Sequence, residues 1–375
     1  MAEYRMCKRC VMDTSDPEIT FDENGVCNHC HTYDRLVREH IVEGEAGRQR
    51  LEKLVQDIKR AGQGKQYDCL IGVSGGVDST YVAYLVKKLG LRPLAIHLDN
   101  GWDSELAVKN IEETLKRLEI DLHTEVLDWE EFRDLQAAFL KASTPDSEIP
   151  TDHAIVAVLG NMAAKLGVKY ILIGNNVRTE THLPGAWSRG HFDWKYIREL
   201  HKRFGTRPLK TFPHFGFLAY YSRMITQRRI AILDYISYSK QEALRVLQDE
   251  LGWRYYGGKH YESIYTRFYQ GYILPVKFGY DKRRCHLSSL ICSGEIAREQ
   301  ALEELKAPAY SPSMQEEDRE YVAKKLGFSD EEFTAIMNAP KKSYWDYPSY
   351  DQFMNQPFVK KGLVPVVKKI MKAFK

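Results

Sequence analysis

The stretch Cys69-Leu70-Ile71-Gly72-Val73-Ser74-Gly75-Gly76-Val77-Asp78-Ser79-Thr80 decides the fold. Its first five residues are mostly apolar and strand-like. Residues 81–89, Tyr81-Val82-Ala83-Tyr84-Leu85-Val86-Lys87-Lys88-Leu89, continue as a helix stopped by Gly90. A strand, a glycine turn and a helix N-terminus aim backbone N–H groups and the positive end of the helix dipole at an anion. Gly75 and Gly76 let the backbone come close to it, and Ser74, Ser79 and Thr80 add hydroxyls. Neither GxxxxGK[ST] nor GxGxxG is present. Asp78 is out of place for a simple phosphate cradle, because a carboxylate in the first helical turn repels bound phosphate. A cation between the two removes the conflict, so Mg²⁺ held by Asp78 and phosphate oxygens is expected. The competing reading is a tight turn of small residues.

Outward from this loop the pattern alternates. Strands are expected over 68–73, 93–98, 122–127 and 169–173, with helices over 76–89, 104–118, 129–142 and 151–166. Such alternation predicts an α/β fold with a parallel, doubly wound sheet, in which ligands bind outside the carboxyl ends of the strands. Three segments should meet there: the glycine loop, His97-Leu98-Asp99-Asn100-Gly101-Trp102 after the second strand, and Gly174-Asn175-Asn176-Val177-Arg178-Thr179-Glu180 after the fourth. Asp99 either bonds a ribose or adenine or caps the helix at Ser104. Asn175, Asn176 and Glu180 are candidates of the same kind.

The loop resembles the pyrophosphate-binding loop of the N-type ATP pyrophosphatases. The resemblance implies cleavage of ATP between the α and β phosphates and adenylylation of a substrate oxygen. It implies ATP contacts from Ser74, Gly75, Gly76, Asp78, Ser79, Thr80, Leu98, Asp99, Gly174 and Asn175.

Ahead of the sheet, Cys7-Lys8-Arg9-Cys10 and Cys27-Asn28-His29-Cys30 form two CxxC pairs sixteen residues apart. Two such knuckles match a closed, structural tetrathiolate zinc site from Cys7, Cys10, Cys27 and Cys30. A redox dithiol pair is the alternative. Four thiolates in so short a ribbon substitute for a core. Residues 33–60 read as a charged helical link.

Beyond residue 183 the chain changes character. Aromatics become dense among arginines and lysines, which suits a mostly helical substrate- or partner-binding extension. Gly257-Gly258-Lys259-His260-Tyr261-Glu262-Ser263 and Arg267 precede Lys277-Phe278-Gly279-Tyr280-Asp281-Lys282-Arg283-Arg284. These basic residues, broken by Gly, Asp and His, suit neutralisation of a triphosphate and its leaving pyrophosphate, with a solvated basic face as the alternative. Helices are expected over 234–251, 293–305, 314–326 and 330–338, and 340–348 reads as an aromatic loop. The tail over 358–375 is basic and amphipathic, so it either closes on the protein or meets a membrane surface or an acidic partner. The organisation expected is a zinc ribbon over 1–32, a helical linker over 33–66, an ATP pyrophosphatase domain over 67–182 and an extension over 183–375 that completes the site.

Four stretches taken together resemble the N-acetyl sugar amidotransferases of O-antigen and nonulosonic acid synthesis, of the WbpG type. They are CKRCVMDTSDPEITFDENGVCNHC (7–30), SGGVDST (74–80), GGKHYES (257–263) and KFGYDKRRCHLSSLICSGEIAR (277–298). The resemblance implies adenylylation of the acetamido oxygen of a nucleotide-linked diacetamido sugar, then displacement of AMP by ammonia to give an acetamidino group. Asp78, Lys282, Arg283 and Arg284 are then the catalytic candidates, and Glu180, His260, Glu262 and Arg267 the substrate candidates. The rivals are a tRNA thiolase of the same superfamily and an ATP sensor without turnover. For the thiolase only Cys285 and Cys292 remain as sulfur carriers, since Cys69 lies in a strand. The sensor leaves the basic cluster at 282–284 unexplained.

The bulk numbers fit this picture. With 375 residues, 43% hydrophobic and 28% charged, the chain can build a substantial core, and a net charge of +3 gives no general argument for nucleic acid. No apolar run approaches a membrane span, and residues 1–9 lack the apolar core of a signal peptide, so a cytoplasmic chain is expected. No cysteine follows Met1 or sits in a glycine-flanked elbow. A separate glutaminase with an ammonia-channelling, cyclase-like subunit is therefore the expected ammonia source, with Cys285 between Arg284 and His286 as the weaker candidate for an internal nucleophile.

Overall fold

The computed structural model describes residues 3–258 and 261–356. His260 and the amphipathic tail expected over 358–375 lie outside the described residues.

Strands β1 (Cys69–Gly72), β2 (Pro93–Asp99), β3 (Asp121–Val126), β4 (Tyr170–Ile173) and β5 (Arg228–Ala231) form one sheet in the order β3-β2-β1-β4-β5. All four pairings are parallel. Four of the strands fall where the alternation predicts them. The fifth, past residue 182, carries the sheet beyond the expected 67–182 unit. Arg228 and Arg229 are exposed on this edge, which removes the apolar run that marks the inner strands.

Helices cover both faces. Along β1, Cys69 and Ile71 point to α3 (Val77–Lys88), α4 (Glu105–Leu118) and α10 (Lys240–Leu251), in one core with Val82, Val86, Ile111, Leu115 and Leu247. Leu70, between them, points to α6 (Ile149–Leu166) with Leu94, Val158, Leu159 and Ile171. The period of two along the strand thus sorts neighbouring side chains into opposite cores.

The link from ribbon to sheet is two helices, α1 (Asn28–His40) and α2 (Gly44–Ala61), and α1 begins inside the second cysteine knuckle. The remaining α-helices are α5 (Trp129–Ala142), α7 (Val177–Glu180), α8 (Trp194–Phe204), α9 (Phe217–Thr226), α11 (Ile264–Phe268), α12 (Lys282–Ser293), α13 (Arg298–Lys306), α14 (Pro312–Leu326), α15 (Asp330–Asn338) and α16 (Tyr350–Met354), and a π-helix, Tyr269–Phe278, follows α11. Many aromatics of the extension are core: Tyr196, Phe212, Tyr265, Phe268, Tyr269 and Phe333 are buried in a single cluster, together with Phe132 and Phe139 of α5.

Two expected helices need correction. Residues 234–251 are a short 3-10 turn, Ile232–Tyr235, and then α10, which Ser239 caps through the Glu242 N–H. The helix expected over 293–305 is replaced by α12 and α13, with a break at Gly294 (φ 79°). Asp281 accepts from the Arg283 N–H and so starts α12 within the basic stretch.

Candidate active site

The glycine loop sits at the carboxyl end of β1. Gly75 has φ +78°, and a Cβ there would lie 2.9 Å from the Ala107 carbonyl oxygen, so the turn requires glycine. Gly76 is the N-cap of α3 and supplies no side-chain cap, which leaves the N–H groups of the first turn to other partners, that of Val77 meeting the Tyr256 hydroxyl. The turn is braced by its own hydroxyls. Ser74 and Ser79 Oγ are 3.1 Å apart, and Thr80 Oγ1 donates to the Gly76 carbonyl at 2.7 Å. Trp253 Nε1 donates to the Gly75 carbonyl at 3.1 Å.

Asp78, half-buried in the first turn of α3, accepts a hydrogen bond from the Tyr238 hydroxyl. Burial, and after it the Asp78 charge, holds the Tyr238 pKa well above that of an ordinary phenol, so Tyr238 remains a donor. Gly174, at the end of β4, lies so close that a Cβ would come within 3.1 Å of Asp78 C and Ser79 N. Its place is therefore set by the approach of β4 to the loop.

Glu262 reaches the loop through an antiparallel bridge, Asp103 with Ser263. The Ser104 N–H donates to the Glu262 carbonyl at 2.8 Å. Glu262 Oε1 and the Tyr256 hydroxyl flank Gly76, 3.5 and 3.6 Å from where its Cβ would stand. Glu295 belongs to the same surroundings. Burial raises its pKa, Lys240 lowers it, and the Asp78 charge raises it further. Nothing local in the sequence brings Tyr238, Tyr256 or Glu295 to Asp78.

Asp99 turns the chain after β2 by accepting from the Gly101 N–H at 2.8 Å, while Ser104 caps α4. The capping alternative for Asp99 is therefore excluded. With Leu127, Trp129 and Lys325, Asp99 lines a cavity of about 260 Å³. Lys325, on α14, donates to the Gly101 carbonyl and sits 4.7 and 4.9 Å from the rings of Trp102 and Trp129. At the end of β4, Asn175 Nδ2 donates to Glu180 Oε2 at 2.9 Å, and Asn176 is the cap of α7.

A second polar centre, largely invisible in the sequence, lies at the start of α6 and of α12. Lys282 Nζ is 3.2 Å from Glu148 Oε2. His191 Nε2 is 3.3 Å from both Asp146 and Asp152. Burial lowers the Lys282 pKa, but Glu148 and Asp146 outweigh it and leave the ammonium held above its ordinary value. Burial likewise opposes a charge on His191, yet Asp146 carries its pKa up to about 9. Asp152, whose side chain is 50% exposed, is shifted upward by desolvation within the cluster and by the Asp146 and Glu148 charges, against the pull of His191. Asn100, at the end of β2, donates to Thr151 Oγ1 at 3.1 Å and joins this centre to the sheet. α12 has 12 residues, so roughly 18 Å of helix separates Lys282 from the Glu295 end beside Asp78.

In this structure the catalytic candidates Arg283 and Arg284 and the substrate candidate Arg267 each have protein partners. Arg283 pairs with Asp281 at 2.8 Å and donates to the carbonyls of Glu304 and Ala307. Arg284 reaches Asp13 at 3.1 Å and the Val11 carbonyl at 2.8 Å, and so fastens the ribbon. Arg267 forms a bidentate pair with Asp318 at 2.6 and 2.8 Å. All three follow the chain's own need to pair cations near the interior, where a guanidinium fork suits a carboxylate or carbonyls.

The four ribbon cysteines are buried together, with Sγ separations of 3.7 to 3.9 Å between Cys7 and Cys30, Cys10 and Cys27, and Cys27 and Cys30. A tetrahedral ion with Zn–S near 2.3 Å requires about 3.8 Å between thiolates, so the donor set fits zinc. Asp78, one carboxylate beside a phosphate cradle, likewise fits Mg²⁺ completed by substrate oxygens. Among the described residues no helix is long and apolar enough to cross a membrane.

Comparison with known proteins agrees in part. Two solved structures are similar at low identity. One is the NH3-dependent NAD synthetase from Campylobacter jejuni subsp. jejuni in complex with the nitrate ion, at 14% identity over 79% of this chain and 98% of that one, TM-score 0.33. The other is an NMN synthetase from Francisella tularensis, at 13% identity over 77% of this chain and 98% of that one, TM-score 0.35. No curated protein matches the chain. Residues 262–360 match the family described as LPS biosynthesis protein WbpG-like, C-terminal domain. That segment holds Lys282 and Glu295, one at each of the two polar centres, and the match supports a WbpG-like reading of this part of the chain.

Proposed function

We propose that the chain is an ATP-dependent amidotransferase that converts an acetamido group of a nucleotide-linked sugar into an acetamidino group, releasing AMP and pyrophosphate. The observation that carries this reading is the pairing of a helix N-terminus that lacks a side-chain cap with Asp78 at the carboxyl ends of β1 and β4. Such a site binds a polyphosphate and a cation together.

An amide carbon is a poor electrophile and its oxygen a poor leaving group. Attack of that oxygen on the α-phosphate forms an O–P bond and expels pyrophosphate, and ammonia then displaces AMP. Ser74, Ser79, Thr80 and the α3 amides bind the departing phosphates, whose charge grows in the transition state. Mg²⁺ at Asp78, when bound, supplies the charge that lets carboxylate and phosphate share one site. Tyr238 fixes the orientation of the Asp78 carboxylate. Leu98 and Asp99 border the adenine and ribose, with Gly174 and Asn175 on the other side. The Lys282 centre, joined to β2 through Asn100 and Thr151, receives the sugar, and Glu180 and Glu262, beside the phosphate loop, are the polar groups at its reacting end. Zinc in the ribbon is structural.

The thiolase alternative needs an accessible sulfur carrier, and Cys285 is buried against the ribbon and Trp187. A separate glutaminase and a channelling subunit are proposed to deliver ammonia.

The test supplies the purified chain with ATP, Mg²⁺ and a panel of nucleotide-linked diacetamido sugars. Amidine and pyrophosphate should form with high ammonium at alkaline pH and not with glutamine, and Asp78→Ala should abolish both while the protein stays folded. Pyrophosphate release by folded Asp78→Ala at the wild-type rate would defeat the reading. Amidine formation from glutamine by the lone chain would defeat the separate glutaminase.

A further inference from the structure

The ribbon cysteines are not the only thiols at their site. Cys30 Sγ is also 3.8 Å from Cys292 Sγ on α12. Cys292 Sγ in turn is 3.6 Å from Nε2 of His182, two residues past the end of α7. The three ligand atoms lie within 4.8 Å of one another, and Cys30 and His182 are fully buried. With Zn–S near 2.3 Å and Zn–N near 2.0–2.1 Å, a tetrahedral ion sets its sulfurs about 3.8 Å apart and a sulfur–nitrogen pair about 3.6 Å apart. Both distances match.

The protonation of His182 follows from its neighbours. Ser289 Oγ donates its one proton to the Cys285 carbonyl at 3.2 Å and accepts from the Thr181 N–H at 3.3 Å. Toward His182 Nδ1, at 2.9 Å, Ser289 therefore acts as an acceptor. The hydrogen sits on Nδ1, and the Nε2 lone pair is on the side of Cys292. A backing hydrogen bond that fixes this tautomer is the usual support of a metal-binding histidine. Soft sulfur and imidazole donors select a thiophilic ion such as zinc over Mg²⁺.

We propose that Cys30, Cys292 and His182 form a second zinc site, with Cys30 bridging it to the ion of Cys7, Cys10, Cys27 and Cys30. The proposal rests on the reading of the ribbon as a zinc site. Cys292 gives up its thiol proton on binding. Three protein ligands leave one position for water or an incoming donor. His182 stands two residues after Glu180, and Cys292 three residues before Glu295 beside Asp78. The second ion thus ties the ribbon to both walls of the phosphate loop, which a ribbon ion held by its own four cysteines cannot do.

The experiment measures metal on the full chain, purified reduced and in the presence of zinc. Inductively coupled plasma mass spectrometry should give two zinc ions per chain for the wild type and one for Cys292→Ser and for His182→Gln. One ion in the wild type and one in Cys292→Ser overturns the second site and leaves the ribbon site standing, with Cys292 then a hydrogen-bond donor to His182. Two ions in both also overturns it, and no ion in either overturns both sites. Should the variants lose their fold by circular dichroism, cobalt titration of the metal-free wild type decides. A second equivalent with a distinct, weaker thiolate-to-cobalt band supports the proposal, and saturation at one equivalent refutes it.

Discussion

Replacing Lys282 by methionine removes the lysine from the carboxylate centre at the head of α12 while keeping most of its apolar stem. Lys282 Nζ and Glu148 Oε2 are 3.2 Å apart, on side chains only 17% and 13% exposed. At that distance an effective dielectric near 20 gives an attraction of roughly 5 kcal/mol. Asp146 and Asp152 add to it, and desolvation of the ammonium opposes it. Methionine leaves Asp146, Glu148 and Asp152 facing His191. Breaking a buried pair from one side costs about 3–5 kcal/mol, and that loss is expected in urea unfolding at pH 7.5 followed by tryptophan fluorescence. The loss should shrink as the pH falls, because Asp152, whose pKa is shifted upward, takes up a proton and relieves the excess negative charge. Adding Glu148→Gln should restore much of the stability, since it removes the charge left unpaired. A single-variant loss below about 1 kcal/mol refutes the reasoning, and so does a double variant as unstable as the sum of its parts. If Lys282 also serves the reaction, folded Lys282→Met lowers turnover far more than affinity for the sugar nucleotide, and an effect confined to affinity would place it outside the chemistry.

His191, raised from 6.5 to about 9, contributes stability that is complete below pH 6.5 and is lost as the pH rises through 9. The shift corresponds to about 3 kcal/mol, and His191→Gln should flatten this alkaline limb of the stability curve; an unchanged limb assigns it to another group. Arg284→Ala should cost about 3 kcal/mol by removing the cation opposite Asp13, which is 2% exposed and keeps the neutral donors of Tyr4 and Ser15, while pyrophosphate release per folded molecule stays at the wild-type level. A folded variant without activity would return Arg284 to the chemistry. Gly174→Ala forces Asp78 and Ser79 apart from β4 and should lower pyrophosphate release at least tenfold at a stability cost of about 1–3 kcal/mol; wild-type turnover would show that the loop tolerates the shift.

The sequence by itself determined the elements whose cause is local. Cys69–Gly72 is a strand because its apolar residues alternate between two cores, and α3 begins at the glycine loop because the glycines set the turn. The two CxxC knuckles announce a four-sulfur cluster, because each pair is bound by one tight turn. Asp78 was legible for a chemical reason, since a carboxylate does not belong beside phosphate without a cation. Tertiary structure alone decided what depends on distant partners. Arg283 and Arg284 are phosphate-ligand candidates in sequence, and only the fold shows that Asp281 starts a helix there and that the two guanidiniums have Ala307 and Asp13 as partners. β5 has no apolar signature, because it lies at an edge and is specified by its pairing with β4. The meeting of Lys282 with Glu148 joins residues 134 positions apart, and that of Cys292 with His182 and Cys30 spans 262. No period or spacing along a chain encodes such contacts, because they arise from how α12 is laid across the sheet's carboxyl end.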